Sequence, residues 1–246
     1  MLSKAQIIVL NTIKYGDNGL VVQCYSNSGG KLSLFLRGTG RNKSNAAYLH
    51  RLNILDVEIF SGGKGMPLIK EIVPAFRLDS LRTDLCKGTV AIFICELILK
   101  GVREIEPNER LYTFLRESIL SLEQCGSGSA NFPAFFIVHF CKMSGFEPFD
   151  NYRDDSLPVF NINSASFVPC RGHYKGEKEK RDDNEFSREE SILLHQLLNV
   201  SPNELNSIKS SGNSRYGFIK QMLLYFSTHL GYPVELKSLE VLHELF

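Results

Sequence analysis

No apolar run in this 246-residue chain is long enough to span a bilayer, so no membrane-spanning segment is expected. The opening Met1-Leu2-Ser3-Lys4-Ala5 leads straight into strand-like sequence and lacks the features of a secretory leader. Cysteine is sparse. Of the six, Cys24, Cys86, Cys95 and Cys141 lie in or beside apolar runs, where a free thiol behaves as a small hydrophobe. That pattern argues against a disulfide framework and for a reducing compartment. The expected location is cytoplasmic, associated with the nucleoid if the partner is DNA.

Catalytic signatures are missing as well. Gly38-Thr39-Gly40 has no third glycine at the required place and no apolar helix after it, and no Gly-Lys-Ser/Thr occurs. There is no nucleophile-elbow sequence for Ser/His/acid chemistry. Asp154-Asp155 and Asp182-Asp183 sit in polar loops, where solvation explains them. His139 and Cys141 share an apolar stretch at a spacing unsuited to joint ligation. Cys170-Arg171-Gly172-His173 has a C-x-x-H spacing, but a structural zinc needs four ligands and no second pair lies nearby. The expectation is therefore a non-enzymatic chain with no cofactor and no metal.

What is there is a basic front. The first 80 residues carry a net charge of +5 and the remainder −4, which points to an anionic partner for the front or simply to a soluble surface. Within it, Ile7-Ile8-Val9-Leu10, Leu20-Val21-Val22-Gln23-Cys24-Tyr25 and Lys31-Leu32-Ser33-Leu34-Phe35-Leu36-Arg37 are separated by Gly-containing turns. Leu52–Phe60 and Met66–Val73 follow, again across a Gly-rich turn. Five short antiparallel strands in this length suit an OB-type barrel, with an SH3-like barrel as competitor. The long segment between the third and fourth strands favours OB.

After Pro74-Ala75 the apolar period changes from 2 to 3.6. Asp79 or Ser80 can cap a helix running through Leu81, Leu85, Val90 and Ile94, and a second follows Pro107. Phe132–Met143 is apolar all round and is expected at the centre of a bundle. Residues 151–184 interrupt the helices with a small hairpin and a charged loop, and helices resume near Ser187. The predicted class is α+β, with a five-stranded OB-type barrel over 1–76 and a helical domain with a hairpin insertion over 77–246.

An OB barrel holds a single strand against its second and third strands, with phosphates on cations and bases on aromatics. The candidate DNA-binding residues are Lys31, Arg37, Arg41, Lys43, Tyr48 and Arg51, with Lys14 and Lys64 as outliers. Tyr25 and Phe35 are either stacking residues or barrel core, and core is favoured for Phe35.

Ile7–Thr12 with Tyr15-Gly16-Asp17-Asn18 resembles the opening of the RecO family of bacterial recombination mediators. Gly30–Phe35 with Arg37-Gly38, Phe140–Pro148, and Leu230-Gly231-Tyr232 with Leu236–Leu242 are similar to later parts of that family. The resemblance implies an OB domain and a helical domain that bind single- and double-stranded DNA and anneal complementary strands. It implies RecR and RecF as partners, loading of RecA on strands coated by single-strand-binding protein (SSB), and docking of the acidic, Phe-ending SSB tail. For that tail, Phe135, Phe136, Phe140 and Lys142, or Lys100 and Arg103, are the sequence candidates. Many relatives carry two C-x-x-C pairs where this chain has only Cys170 and His173, so its hairpin reads as a metal-free remnant. The alternative function is an OB-fold protein-interaction adaptor without direct DNA binding.

Overall fold

A computed structural model of the chain describes residues 1–17, 19–38, 46–63, 65–103, 105–126, 129–154, 158–169 and 183–245. It divides into two compact units, Met1–Gln124 and Cys125–Phe246.

The first unit is built on β1 (Leu2–Tyr15), β2 (Gly19–Ser26), β3 (Gly30–Arg37), β4 (Ile54–Phe60) and β5 (Leu68–Pro74). They close into a barrel of order β1-β2-β3-β5-β4. A parallel contact joins β3 to β5, where the Phe35 N–H donates to the Pro67 carbonyl at 2.8 Å. This is the OB-type arrangement expected. β1 is long enough to serve two neighbours, pairing with β4 through its first half and with β2 through its second. The ladder slips between Val9 and Asn11, a bulge that lets the strand bend from one partner to the other. Ile7, Val9, Val22, Cys24, Leu34 and Leu55 are among the side chains that fill the interior.

Alternation puts Ile8, Tyr25 and Ile54 on the outside of this barrel, yet each is buried to 1% or less. Their cover is helical. A single turn, Ser80–Thr83, leads into α1 (Leu85–Gly101), and α2 spans Glu109–Gln124. Phe93, Ile94, Leu97 and Ile98 of α1 are buried, and the Cys95 thiol reaches the Val9 carbonyl of β1. The compact unit therefore runs to Gln124, although the change from strand to helix comes at Pro74.

Asp84, rather than Asp79 or Ser80, caps α1, because the backbone breaks to an extended conformation there and its carboxylate accepts from the Lys87 N–H. The short turn before it is capped from a distance: Glu123 on α2 accepts the N–H groups of Ser80 and Leu81 at 2.8 and 3.0 Å. Burial raises the Glu123 carboxyl, but these bonds and the Lys87 charge outweigh it and leave it below its ordinary value.

In the second unit, α3 (Phe132–Met143) is the central helix, buried from Phe132 through Val138 and again at Phe140 and Cys141. It ends at Gly145, whose φ of +87° reverses the chain. The hairpin strands β6 (Pro158–Asn161) and β7 (Ser166–Pro169) form the separate two-stranded sheet. Phe160 pins the hairpin to the bundle, with ring centroids 5.2 Å from Phe186 and 5.5 Å from Tyr225. α4 (Arg188–Asn199) starts with a Ser187/Glu190 capping box. α5 (Gly212–Leu230) and α6 (Ser238–Leu245) complete the bundle.

Candidate nucleic-acid interface

Side chains of directly paired residues share one face of a sheet. Val22 lies in the barrel core, so its neighbours Val21 and Gln23 point outward. The β1–β2–β3 register then sets out three rows on the outer surface. Tyr15, Gly19 and Arg37 form the first, Ile13, Val21 and Phe35 the second, and Asn11, Gln23 and Ser33 the third. Tyr15 is 66% exposed and Ile13 47%. The Tyr15 and Phe35 rings meet edge to face at 5.9 Å. Gly19 makes this possible, since a Cβ there would stand 2.5 Å from the Phe35 ring. Asn11 donates to Gln23 across the strands at 3.0 Å.

The opposite side of the barrel has the other sign. There Asp56, Glu58 and Glu71 of β4 and β5, with Glu109 of α2, line a cleft of about 1010 Å³ in which Lys4 and Arg116 are the cations. A polyanion is repelled from that side and tolerated on the β1–β2–β3 face.

The sequence-predicted site residues part company here. Arg37 is exposed at the end of β3, beside Tyr15 in the first row. Arg41, Lys43 and the outlier Lys64 lie outside the described residues. Tyr48 is exposed at the end of a short 3-10 turn, Ala46–Tyr48, whose carbonyl is held by the Asn53 amide at 2.7 Å. Arg51 is exposed and lines a cleft of about 640 Å³ with Thr12, His50 and Arg82. Burial holds His50 below its ordinary pKa, so the arginines supply the positive charge of this cleft at neutral pH. Thr12 is three positions before Tyr15 on β1, about 10 Å at the usual rise, so the Arg51 cleft and the Arg37 row follow the same strand.

Lys31 is engaged elsewhere. Its ammonium donates to the carbonyls of Leu99, at 3.1 Å, and Val102, at the C-terminal end of α1. A cation there satisfies orphan carbonyls and meets the negative end of the helix dipole. Burial, followed by the Arg103 charge, lowers its pKa. Lys31→Met is therefore expected to destabilise the protein by about 1.5–3 kcal/mol, the range for a hydrogen bond to a charged group. Thermal unfolding checks this, and an unchanged midpoint with a shallower salt dependence of DNA binding would instead make Lys31 a phosphate contact.

Tyr25 is buried to 1%, so it cannot stack on a base. Phe35 was favoured as core, but it lies half-buried on the outer face. Tyr15 and Ile13 were missed altogether. The slip at Val9/Asn11 explains why Tyr15 and Ile13 were missed: odd residues of β1 point inward before it and outward after it, and strict alternation cannot reveal the change. The turn at Gly16 next to Tyr15 was the one available hint that the strand is clear of the core there.

For the acidic-tail pocket, Phe135, Phe136 and Phe140 are buried in their own unit and unavailable. Lys142 pairs with Glu147 and borders a cleft of about 280 Å³ that also takes in His139, Leu198 and the 65% exposed Phe149.

Cys170 and His173 lie outside the described residues, and no group of three or more His, Cys, Asp or Glu among the described residues could hold a metal ion. Burial pushes the Cys24 and Cys95 thiols up to about 12 and raises Cys141 as well, so these three behave as inert core residues. None of the described helices is long and apolar enough to cross a membrane.

Two family models cover nearly the whole chain, "Recombination protein O N terminal" over residues 1–76 and "Recombination protein O C terminal" over residues 82–240. The chain belongs to the RecO family. It is 30% identical to the DNA repair protein RecO of Flavobacterium psychrophilum over 250 residues, covering all of both chains. It is 29% identical to that of Christiangramia forsetii at the same coverage, and 25% identical to that of a Thermoanaerobacter species over 99% of this chain and 98% of the relative. The curated RecO relatives thus match it from end to end, and both units fall within RecO sequence.

Proposed function

We propose that this chain is a non-enzymatic mediator of DNA repair and homologous recombination. It binds single- and double-stranded DNA, anneals complementary strands and, with RecR, helps RecA onto strands coated by SSB. Phosphates lie on Arg37, Arg41, Lys43 and Arg51, and Tyr48 contributes an aromatic surface. Such DNA work belongs in the cytoplasm, at the nucleoid. RecF and the acidic SSB tail are further partners.

The observation that carries this reading is the exposed β1–β2–β3 face, which ends in Arg37 and faces away from the acidic cleft, in a chain of RecO sequence throughout. Cations on such a face screen the repulsion between two phosphate backbones, which favours pairing and weakens steeply with salt.

Annealing of complementary oligonucleotides, with and without SSB, tests the reading. Faster annealing in both cases, falling as salt rises, is the expected result. An unchanged annealing rate, together with no salt-sensitive anisotropy change of a labelled single strand, would sink it. Capture of RecR or SSB by a protein with no DNA affinity would favour the interaction-adaptor alternative.

A further inference from the structure

We infer that the cleft beside Arg51 is a phosphomonoester site, in which Arg51, Arg82 and His50 take the dianionic phosphate that ends a nucleotide or a strand. The inference goes beyond the DNA-binding reading and does not need it, because a free nucleotide carries the same group.

Three pieces of the first unit meet at this cleft. His50 and Arg51 follow the short 3-10 turn, Arg82 belongs to the single turn Ser80–Thr83, and Leu85 and Gly88 come from the first turns of α1. Arg51 and Arg82 are exposed, and neither guanidinium has an ion-pair partner among the described residues. Asp84 is the one carboxylate among the described lining residues, and it is taken up as the cap of α1, accepting from the Lys87 N–H at 3.1 Å. The two arginines outweigh it, and the positive end of the α1 dipole adds to them. Lys14, two positions on from Thr12 and on the same side of β1, extends the positive edge.

His50 is the group that calls for a ligand. It separates this cleft from a second, of about 290 Å³, whose charged groups other than Arg82 are Arg77 and Asp79, paired with each other. Both ring nitrogens are closed off from solvent without a well-formed hydrogen bond among the described residues, an arrangement that costs stability unless something else uses it. The Ala47 backbone favours a proton on the ring, but burial outweighs it and the Arg82 charge opposes it further, so the ring is neutral at pH 7. A dianion in the cleft offsets the Arg82 charge and favours that proton. A turn about the Cβ–Cγ bond then makes His50 a third donor.

A terminal phosphate has a charge of about −1.5 to −2 at pH 7 and three free oxygens, whereas one inside a strand has about −1 and two. Two guanidiniums and a ring N–H match the former. The remaining wall is apolar: Leu49, Leu81, Leu85 and Ile92, of which Leu85 is 72% and Ile92 40% exposed. It suits the sugar and base that carry the phosphate better than it suits inorganic phosphate alone.

The test uses the full chain and two single strands of roughly 16 nucleotides, each with fluorescein on a central thymine and with either phosphate or hydroxyl at both ends. Terminal phosphate is expected to raise affinity, read by anisotropy, about tenfold, the worth of one or two charge-assisted hydrogen bonds. In calorimetry AMP should bind in preference to cyclic AMP, whose phosphate is a diester. Binding takes up a proton at His50, so both preferences should grow as pH falls from about 7.5 to 6.5, before the phosphate itself protonates near 6. Arg82→Gln should remove both preferences. His50→Gln replaces a neutral ring by a neutral amide, so it should leave the hydroxyl-ended strand unaffected while reducing the preferences and flattening their pH dependence. A preference for the phosphate-ended strand assigns the site to strand ends, and AMP binding with equal strands assigns it to free nucleotides. Equal affinities in both comparisons, or preferences that survive both replacements, overturn the site and spare the DNA-binding reading. A protein that binds AMP but neither strand overturns that reading and spares the site.

Discussion

Alanine at Arg37, Arg41 and Lys43 together is expected to weaken binding to a single-stranded oligonucleotide by about a hundredfold near 0.1 M salt. The figure follows from three phosphate contacts at about 1 kcal/mol each. It should also flatten the plot of log affinity against log salt by about 2, since each single-strand contact contributes about 0.7 to the slope. The fold should not suffer, because Arg37 is exposed at the strand end. Loss of affinity should be shared by single strand and duplex, because phosphates are common to both. Anisotropy titrations at several salt concentrations measure all of this. Full affinity in a folded triple variant would take the interface away from this end of the barrel.

The barrel and the bundle were legible because their signals are local. Turn glycines bracket the first strands, and an all-apolar Phe132–Met143 has nowhere to go but the middle of a bundle. The helix cap at Asp84 was not legible: Asp79, Ser80 and Asp84 are equally good cap types, and only the break in the backbone selects one. The extent of the first unit was hidden for a related reason. Ile8, Tyr25 and Ile54 read as outward residues of a barrel, and nothing local says that α1 covers them. At the candidate site, charge was readable but engagement was not. Lys31 and Arg37 are six residues apart on one outward face of β3, yet Lys31 meets the end of α1, some 70 residues away in sequence, while Arg37 is exposed. The exposed Tyr15 was missed because a bulge, invisible to a period of two, moved it outward.

Gly30→Ala is expected to be the most damaging single change in the first unit, at about 3–5 kcal/mol of stability. Two costs add. The φ of Gly30 is +61°, a left-handed conformation that costs an L-residue about 1–2 kcal/mol. A Cβ there would also lie 2.4 Å from the Glu106 carbonyl oxygen and 2.9 Å from its carbon. Those are backbone atoms, so no side-chain rotation relieves the clash. Either the 105–106 segment or the hairpin must retreat, and a retreating hairpin pulls the adjacent Lys31 from the carbonyls of Leu99 and Val102. Gly16 supplies the control. Its φ is also +61°, but a Cβ there meets nothing within 4 Å, so Gly16→Ala should cost only the conformational part, about 1 kcal/mol. Urea unfolding of the two full-length variants compares them directly. Equal losses would mean that backbone conformation alone fixes glycine in this hairpin, and that the close approach to Glu106 contributes nothing.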